Sequence, residues 1–295
     1  MAPAFRSYLA VDWSGAAVPR RGSDSIWIGG WTRGPDGGLV EVAPVNPPTR
    51  AAATDHLAEM LDALLAEGRV LLGFDFPFCY ARGFADRLGL GAQGLLWRRI
   101  WTRLADTLVD GPDNANNRFA LAAGLNAALS RGPGPFWGCP ATKAGPCLTV
   151  NKPVLTAGLA ERRLVEMRLP RAQPPWKLYG VGSAGSQALT GIPRVWQLRC
   201  DARFAFRSAI WPFETGLSDD TRADLVLAEI YPSMVKPFDL APLPKDAGQV
   251  MAIARHFADT DADGRLPDWL AGPPDLSPED RAAVVEEEGW VLGVV

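Results

Sequence analysis

Histidine is nearly missing from this chain: His56 and His256 are the two present in 295 residues. That scarcity argues against most hydrolytic or zinc chemistry built on imidazole. His56 falls in the expected first turn of one helix and His256 inside another, so both read as structural. Cysteine is sparse as well. Cys79, Cys139, Cys147 and Cys200 show no paired spacing of the zinc-site kind. Free thiols in a reduced, cytoplasmic protein are the expectation. Neither charge sign dominates, since the formal net charge is −3 and charged residues make up 21%. No global basic field draws in nucleic acid or an anionic membrane, although a local patch is left open. No uninterrupted apolar run is long enough to cross a bilayer. The opening MAPAFRSYLAV meets Asp12 too soon to form the apolar core of a signal peptide. Membrane partners are not expected, and the sequence does not fix an oligomeric state.

What is present suits a large core, because 47% of the residues are hydrophobic. SYLAVDWSG, SIWIGGWTRG and GLVEVAPV read as three strands of a meander, divided by turns rich in Gly, Pro, Asp and Ser. TRAAATDHLAEMLDALLAEG follows with Leu57, Met60, Leu61, Leu64 and Leu65 at helical spacing and Gly68 as a stop. RVLLGFDFPF is then a continuous apolar run, as a strand covered on both faces would be. From Cys79 to about residue 220 the chain is rich in Gly, Pro, Trp and Asn. GLLWRRIWTRLADTLV, NNRFALAAGLNAALS and LTAGLAERRLVEMR are its expected helices, and SAGSQALTG is a possible helix start. Regular order returns with the strand ADLVLAEIYPS and the helix KDAGQVMAIARHFAD, before a capped final helix and an apolar end. The expectation is one elaborated α/β domain. Its core covers 1–78 and 222–260, a mostly helical and irregular insertion covers 79–221, and an extension covers 261–295. Three antiparallel strands, a helix, a strand, an insertion, a strand and a helix make the ribonuclease H-like order. That order predicts a mixed five-stranded sheet with helices on both faces.

Each apolar strand of this core ends in an acid. Asp12 closes the first, Asp75 the fourth and Glu229 the fifth, while Asp246 opens the last core helix. Any one of them alone could be a turn former or a helix cap. Three in a row point to a shared site, since strand ends form the ligand crevice of an open α/β sheet. Crowded carboxylates raise one another's pKa unless a cation joins them, and magnesium or manganese suits oxygen ligands. Two such ions could activate a water against a phosphodiester. Pro77 and Pro232 follow two of the acids closely and stop their strands at rigid turns.

The segments LAVDWSGA, LLGFDFPF, LAEIYPS and KDAGQVMAIARHFAD resemble the signature segments of a family of uncharacterised bacterial and archaeal proteins. That domain-of-unknown-function family is predicted to consist of nucleases of the ribonuclease H fold. The resemblance covers roughly the first eighty residues and the stretch from Ala223 to Asp259. It implies Asp12, Asp75, Glu229 and Asp246 as catalytic metal ligands, magnesium or manganese as cofactor, and nucleic acid or a nucleotide as partner.

On the substrate side, KLYGVGSAGSQALTG could present backbone N–H groups, Ser183 and Ser186 to a phosphate, with Lys177 beside them and Ser14 on the first turn. An ordinary flexible turn is the plainer reading. Asn114, Asn116, Asn117 and Arg118 are polar enough to meet a ligand, or to start a solvated helix. Trp97 and Trp101 alternate with Arg98, Arg99 and Arg103, which fits a single-strand platform or, preferably, an amphipathic helix with its tryptophans turned inward. Two alternatives remain beside a metal-dependent nuclease. DWSG loosely matches the phosphate turn of actin-like sugar kinases and ATPases, yet such enzymes need two halves and one copy is visible. The other alternative is a non-catalytic binding protein on the same fold.

Overall fold

Strand β1, Ser7–Asp12, is almost wholly apolar because both of its faces are covered. Tyr8 and Ala10 point into one core, and Leu9 and Val11 into the other. The structure, a computed structural model, describes residues 3–154, 157–219 and 221–295. After β1 come β2 (Trp27–Arg33), β3 (Leu39–Val45), helix α1 (Arg50–Glu67) and β4 (Val70–Phe74). Thr49 caps α1 by accepting the Ala52 N–H, and Gly68 ends it. The chain then runs through α2 (Phe84–Arg87), α3 (Leu96–Thr107), α4 (Arg118–Ser130), α5 (Leu164–Arg168) and α6 (Ala184–Cys200). Strands β5 (Ser208–Ile210) and β6 (Leu225–Glu229) follow, then α7 (Lys245–Ala262), α8 (Leu266–Ala271) and α9 (Pro278–Ala283).

Among the described residues the strands form one mixed sheet ordered β3-β2-β1-β4-β6-β5. β2 is antiparallel to β1 and β3, whereas β1, β4, β6 and β5 run parallel. The α/β class holds, and helices cover both faces. The sheet has six strands where five were expected. The added one, β5, is three residues long, too short to show a period in sequence. It pairs with β6, so the segment 79–221 supplies one edge of the sheet rather than standing apart from it. The expected helix from 155 to 168 is reduced to α5. Gly158 in the left-handed region interrupts its first part, and Leu155 and Thr156 lie outside the described residues. His56 sits in the second turn of α1, one turn further in than expected.

Leu9, Val11, Leu72, Phe74, Leu225 and Leu227 meet α1, α3 and α6 on one face. Tyr8, Ala10, Leu71, Val226 and Ala228 meet α7 and the C-terminal Trp290 and Leu292 on the other. Trp97 and Trp101 are buried under α3, which settles that helix as amphipathic. The residues from 261 onward tie the molecule together. Asp261 accepts the N–H groups of Ala4 and Phe5 and the Tyr8 hydroxyl. Glu287 and Glu288 accept those of Gly83, Ala85, Arg82 and Leu164. Among the described residues, no helix is long and apolar enough to cross a membrane.

Helix α6 packs closely over the carboxyl ends of the central strands. A Cβ at Gly191 would sit 2.4 Å from the Phe76 ring, and one at Gly15 would sit 2.9 Å from Ser186 Cβ. Both positions need glycine for this approach. The Gln187 side chain completes the contact by donating to the Trp13 carbonyl at 2.6 Å.

Candidate functional site

β1, β4 and β6 lie side by side in parallel, so their carboxyl ends share one edge. Asp12 and Asp75 meet there through a carboxyl–carboxyl hydrogen bond. The Trp13 N–H donates to Asp75 Oδ1 at 2.7 Å and sets its orientation. Burial comes first in raising Asp12 well above the usual carboxylate range, followed by the charges of Asp75 and Asp246. Burial also pushes Asp75 up to about 7, against the Trp13 N–H that favours its ionised form. Near neutral pH the pair therefore holds a proton between two oxygens, as crowded carboxyls must when no cation joins them.

Asp246, in the first turn of α7, accepts the Asp24 N–H at 2.8 Å, and its charge acts on both members of the pair. Asp24 was not singled out in the sequence. It stands in a left-handed conformation in the loop before β2, and its charge also raises Asp12. Nothing in a polar turn marks such an acid in advance.

Glu229 has a different partner from the one expected. Arg163 Nη2 and Nη1 grip its two oxygens at 2.6 and 2.8 Å, and the Phe78 N–H adds a third bond at 2.8 Å. Arg163 also donates to Glu166 at 2.8 Å and to the Glu288 carbonyl. Burial alone would lower the Arg163 pKa, but Glu166 and Glu229 hold it firmly charged. Glu229 thus lies at the edge with its lone pairs already committed. Among the described residues, no group of three or more His, Cys, Asp or Glu side chains is arranged to hold a metal.

Two cavities adjoin at the acid pair. One of about 210 Å³ is lined by Asp12, Asp75, Arg163, Glu166, Glu229 and Gln249, among others. The other, about 520 Å³, is lined by Asp12, Ser14, Arg20, Asp24, Arg118, Ser183, Ser186 and Asp246, with the turn 178–182. Asp12, Gly182 and Gln187 line both. Of the expected substrate-side groups, Ser14, Ser183 and Ser186 face the larger cavity. Lys177 lines neither. Its Nζ donates to the Val181 carbonyl at 2.6 Å and lies over the Trp137 ring, which directs its charge elsewhere. The backbone N–H groups of Gly185, Ser186 and Gln187 are bonded within the protein, so the expected cradle is narrower than the sequence suggested.

Arg50 is the residue that sequence reasoning missed most completely. Fully buried, it donates to the Ser14 and Ala16 carbonyls at 3.1 and 2.6 Å and pairs with Asp110. It therefore fixes the loop that follows Asp12. Its partners come from segments far apart in sequence, and no local pattern announces them. A scan of family models, a search of curated proteins and a search of solved structures each return no match for this chain.

Proposed function

We propose that this chain is a divalent-metal-dependent hydrolase of phosphodiester bonds on a ribonuclease H-like fold, with nucleic acid as its substrate class. The observation that carries the reading is the Asp12–Asp75 pair. Two acids from separate parallel strands meet at the sheet edge with no basic partner among the described residues, and they hold a proton where a cation would serve. The donor set fits magnesium or manganese, which are commonly held by one or two carboxylates and keep several waters. Asp12 and Asp75 would hold the ion, and Asp246, which lines the same cavity as Asp12, would add negative charge nearby. When bound, it would supply the charge that activates a water and steadies the leaving oxygen.

The chain's own part is positioning. The Trp13 N–H aims Asp75, Gln187 holds the Trp13 carbonyl, and Arg50 holds the loop beyond. Glu229, locked by Arg163, lines the smaller cavity and stands outside the ligand set. Among the described residues the sheet occurs once, and the kinase-like alternative would need a second half to close over a nucleotide.

The test is calorimetric titration of the metal-free protein with Mn²⁺, followed by cleavage of single- and double-stranded oligonucleotides. Wild type should bind the ion with proton release and cleave. Asp12→Asn should stay folded and lose metal-dependent cleavage. Full activity in that variant would end the proposal. Failure of the wild type to bind Mn²⁺ would favour a non-catalytic binding protein.

A further inference from the structure

Among the described residues three arginines are buried: Arg50, Arg118 and Arg163. Two are matched by acids. Arg50 pairs with Asp110, and Arg163 with Glu166 and Glu229. Arg118 is the exception. It is 7% exposed, yet among the described residues no carboxylate lies within ion-pair distance of it. Its Nε donates to Ser186 Oγ and its Nη1 to Asn116 Oδ1, both at 2.9 Å and both neutral. Asp110 acts on its charge from beyond contact distance, but its carboxylate oxygens are shared by Arg50 and Arg194. A guanidinium taken out of water without a counter-charge is costly, so its anion is expected to arrive from outside.

The surroundings fit such an anion. Arg118 lines the cavity of about 520 Å³ that also reaches Asp12 and Asp246. Beside it begins α6, a helix of 17 residues. Ser183 is the N-cap of α6, but its side chain makes no capping bond and instead lines the cavity. The N–H groups of Gly185, Ser186 and Gln187 are bonded within the protein, so it is the helix dipole that favours negative charge at that end. At the rim, the Tyr179 ring is 53% exposed and held edge-on to Phe119, a surface on which a base could stack.

We propose that Arg118 and Ser183, at the start of α6, form a phosphate subsite that seats one phosphate of a nucleotide or nucleic-acid ligand. Asp12 and Asp246, which line the same cavity, would then meet the neighbouring ester bond. This deepens the hydrolase reading by naming where the substrate is held. Binding of the anion itself needs neither cleavage nor a metal. Arg20, the other cation of this lining, is paired with Asp24, so a phosphate is steered to Arg118.

The experiment is calorimetry in metal-free buffer with two probes, inorganic phosphate and a short single-stranded oligonucleotide. Wild type should bind phosphate, and tighter binding of the oligonucleotide would identify nucleic acid as the source. Arg118→Gln should lose about tenfold or more in affinity, as expected for a charge-assisted contact. Because that change could disturb α4, Ser183→Asp is the second variant. Aspartate is a good N-cap, so the helix should be kept or strengthened while phosphate is repelled. Unchanged phosphate affinity in either folded variant, or no binding of both probes by wild type, would overturn the subsite. Asp12→Asn should bind phosphate at least as well as wild type. If the subsite binds but no metal-dependent cleavage is found, the hydrolase reading falls and the subsite stands.

Discussion

Glu229 ends β6 with both oxygens gripped by Arg163, whereas Asp75 on the adjoining strand and Asp12 on the next share a hydrogen bond and, among the described residues, have no arginine or lysine paired with them. The three acids occupy one edge of one sheet, yet their environments are opposite. At β6 the charge is neutralised by a buried fork that also binds Glu166 and the Glu288 carbonyl, so the acid serves to hold the C-terminal segment and the chain before α5 against the strand. At β1 and β4 like charges are pressed together beside two cavities. An arrangement that costs stability without an evident packing gain is expected at a working site. A carboxylate at a strand end is therefore not by itself a ligand. What decides is whether the fold also delivers an arginine.

The largest effect should come from removing that arginine. Arg163→Ala leaves Glu229 and Glu166 buried without a counter-charge, and a loss of roughly 3–5 kcal/mol is expected in urea denaturation. Arg163→Lys should recover little, because an ammonium cannot make the paired bonds to Glu229. A loss below about 1 kcal/mol would erase the contrast between the two ends of the edge.

A smaller effect of opposite sign is expected at the acid pair. The folded-state pKa of Asp75 is raised to about 7, so the folded chain binds a proton that the unfolded chain has released. Its contribution to stability is therefore full below the ordinary carboxylate pKa and is lost as pH rises toward about 7. Asp75→Asn keeps an oxygen for the Trp13 N–H and offers a donor to Asp12. In chelator-treated protein at pH 7.5 it should be more stable than wild type by roughly 1–2 kcal/mol, and the fall in stability between pH 4.5 and 7.5 should flatten. Asp75→Asn less stable than wild type under those conditions would mean that the pair is not under strain.

Much of the core was legible because its signals are local. The run VLLGF is apolar along its whole length, α1 carries a clean helical spacing up to Gly68, and Asp12 and Asp75 stand at the ends of such runs. Their adjacency follows from the order of strands and helix. The rest depends on contacts between distant segments. Arg163 lies in a stretch that reads as one helix, and nothing there says that it turns toward Glu229. Helix α6 hides behind Gly185, Gly191 and an internal Pro193, which weaken a helical reading until tertiary packing supplies what propensity lacks. Asp24 and Arg118 owe their importance to the cavity they line, a property no sequence window contains.

Lys177 should give the smallest effect and the sharpest check on the walls of the larger cavity. It sits three positions before Gly180 in the turn that borders that cavity, so a reading by sequence alone favours it over Arg118 as the anion's partner. In the structure its ammonium is spent on the Val181 carbonyl and the Trp137 ring, and it lines neither cavity. Lys177→Ala removes one half-exposed hydrogen bond, so stability should change by no more than about 0.5 kcal/mol. Its phosphate affinity should stay within about twofold of wild type, where Arg118→Gln loses tenfold or more. If the two variants lost affinity equally, the anion would be held by diffuse positive charge around the turn. The buried, acid-free guanidinium of Arg118 would then have no special part in choosing it.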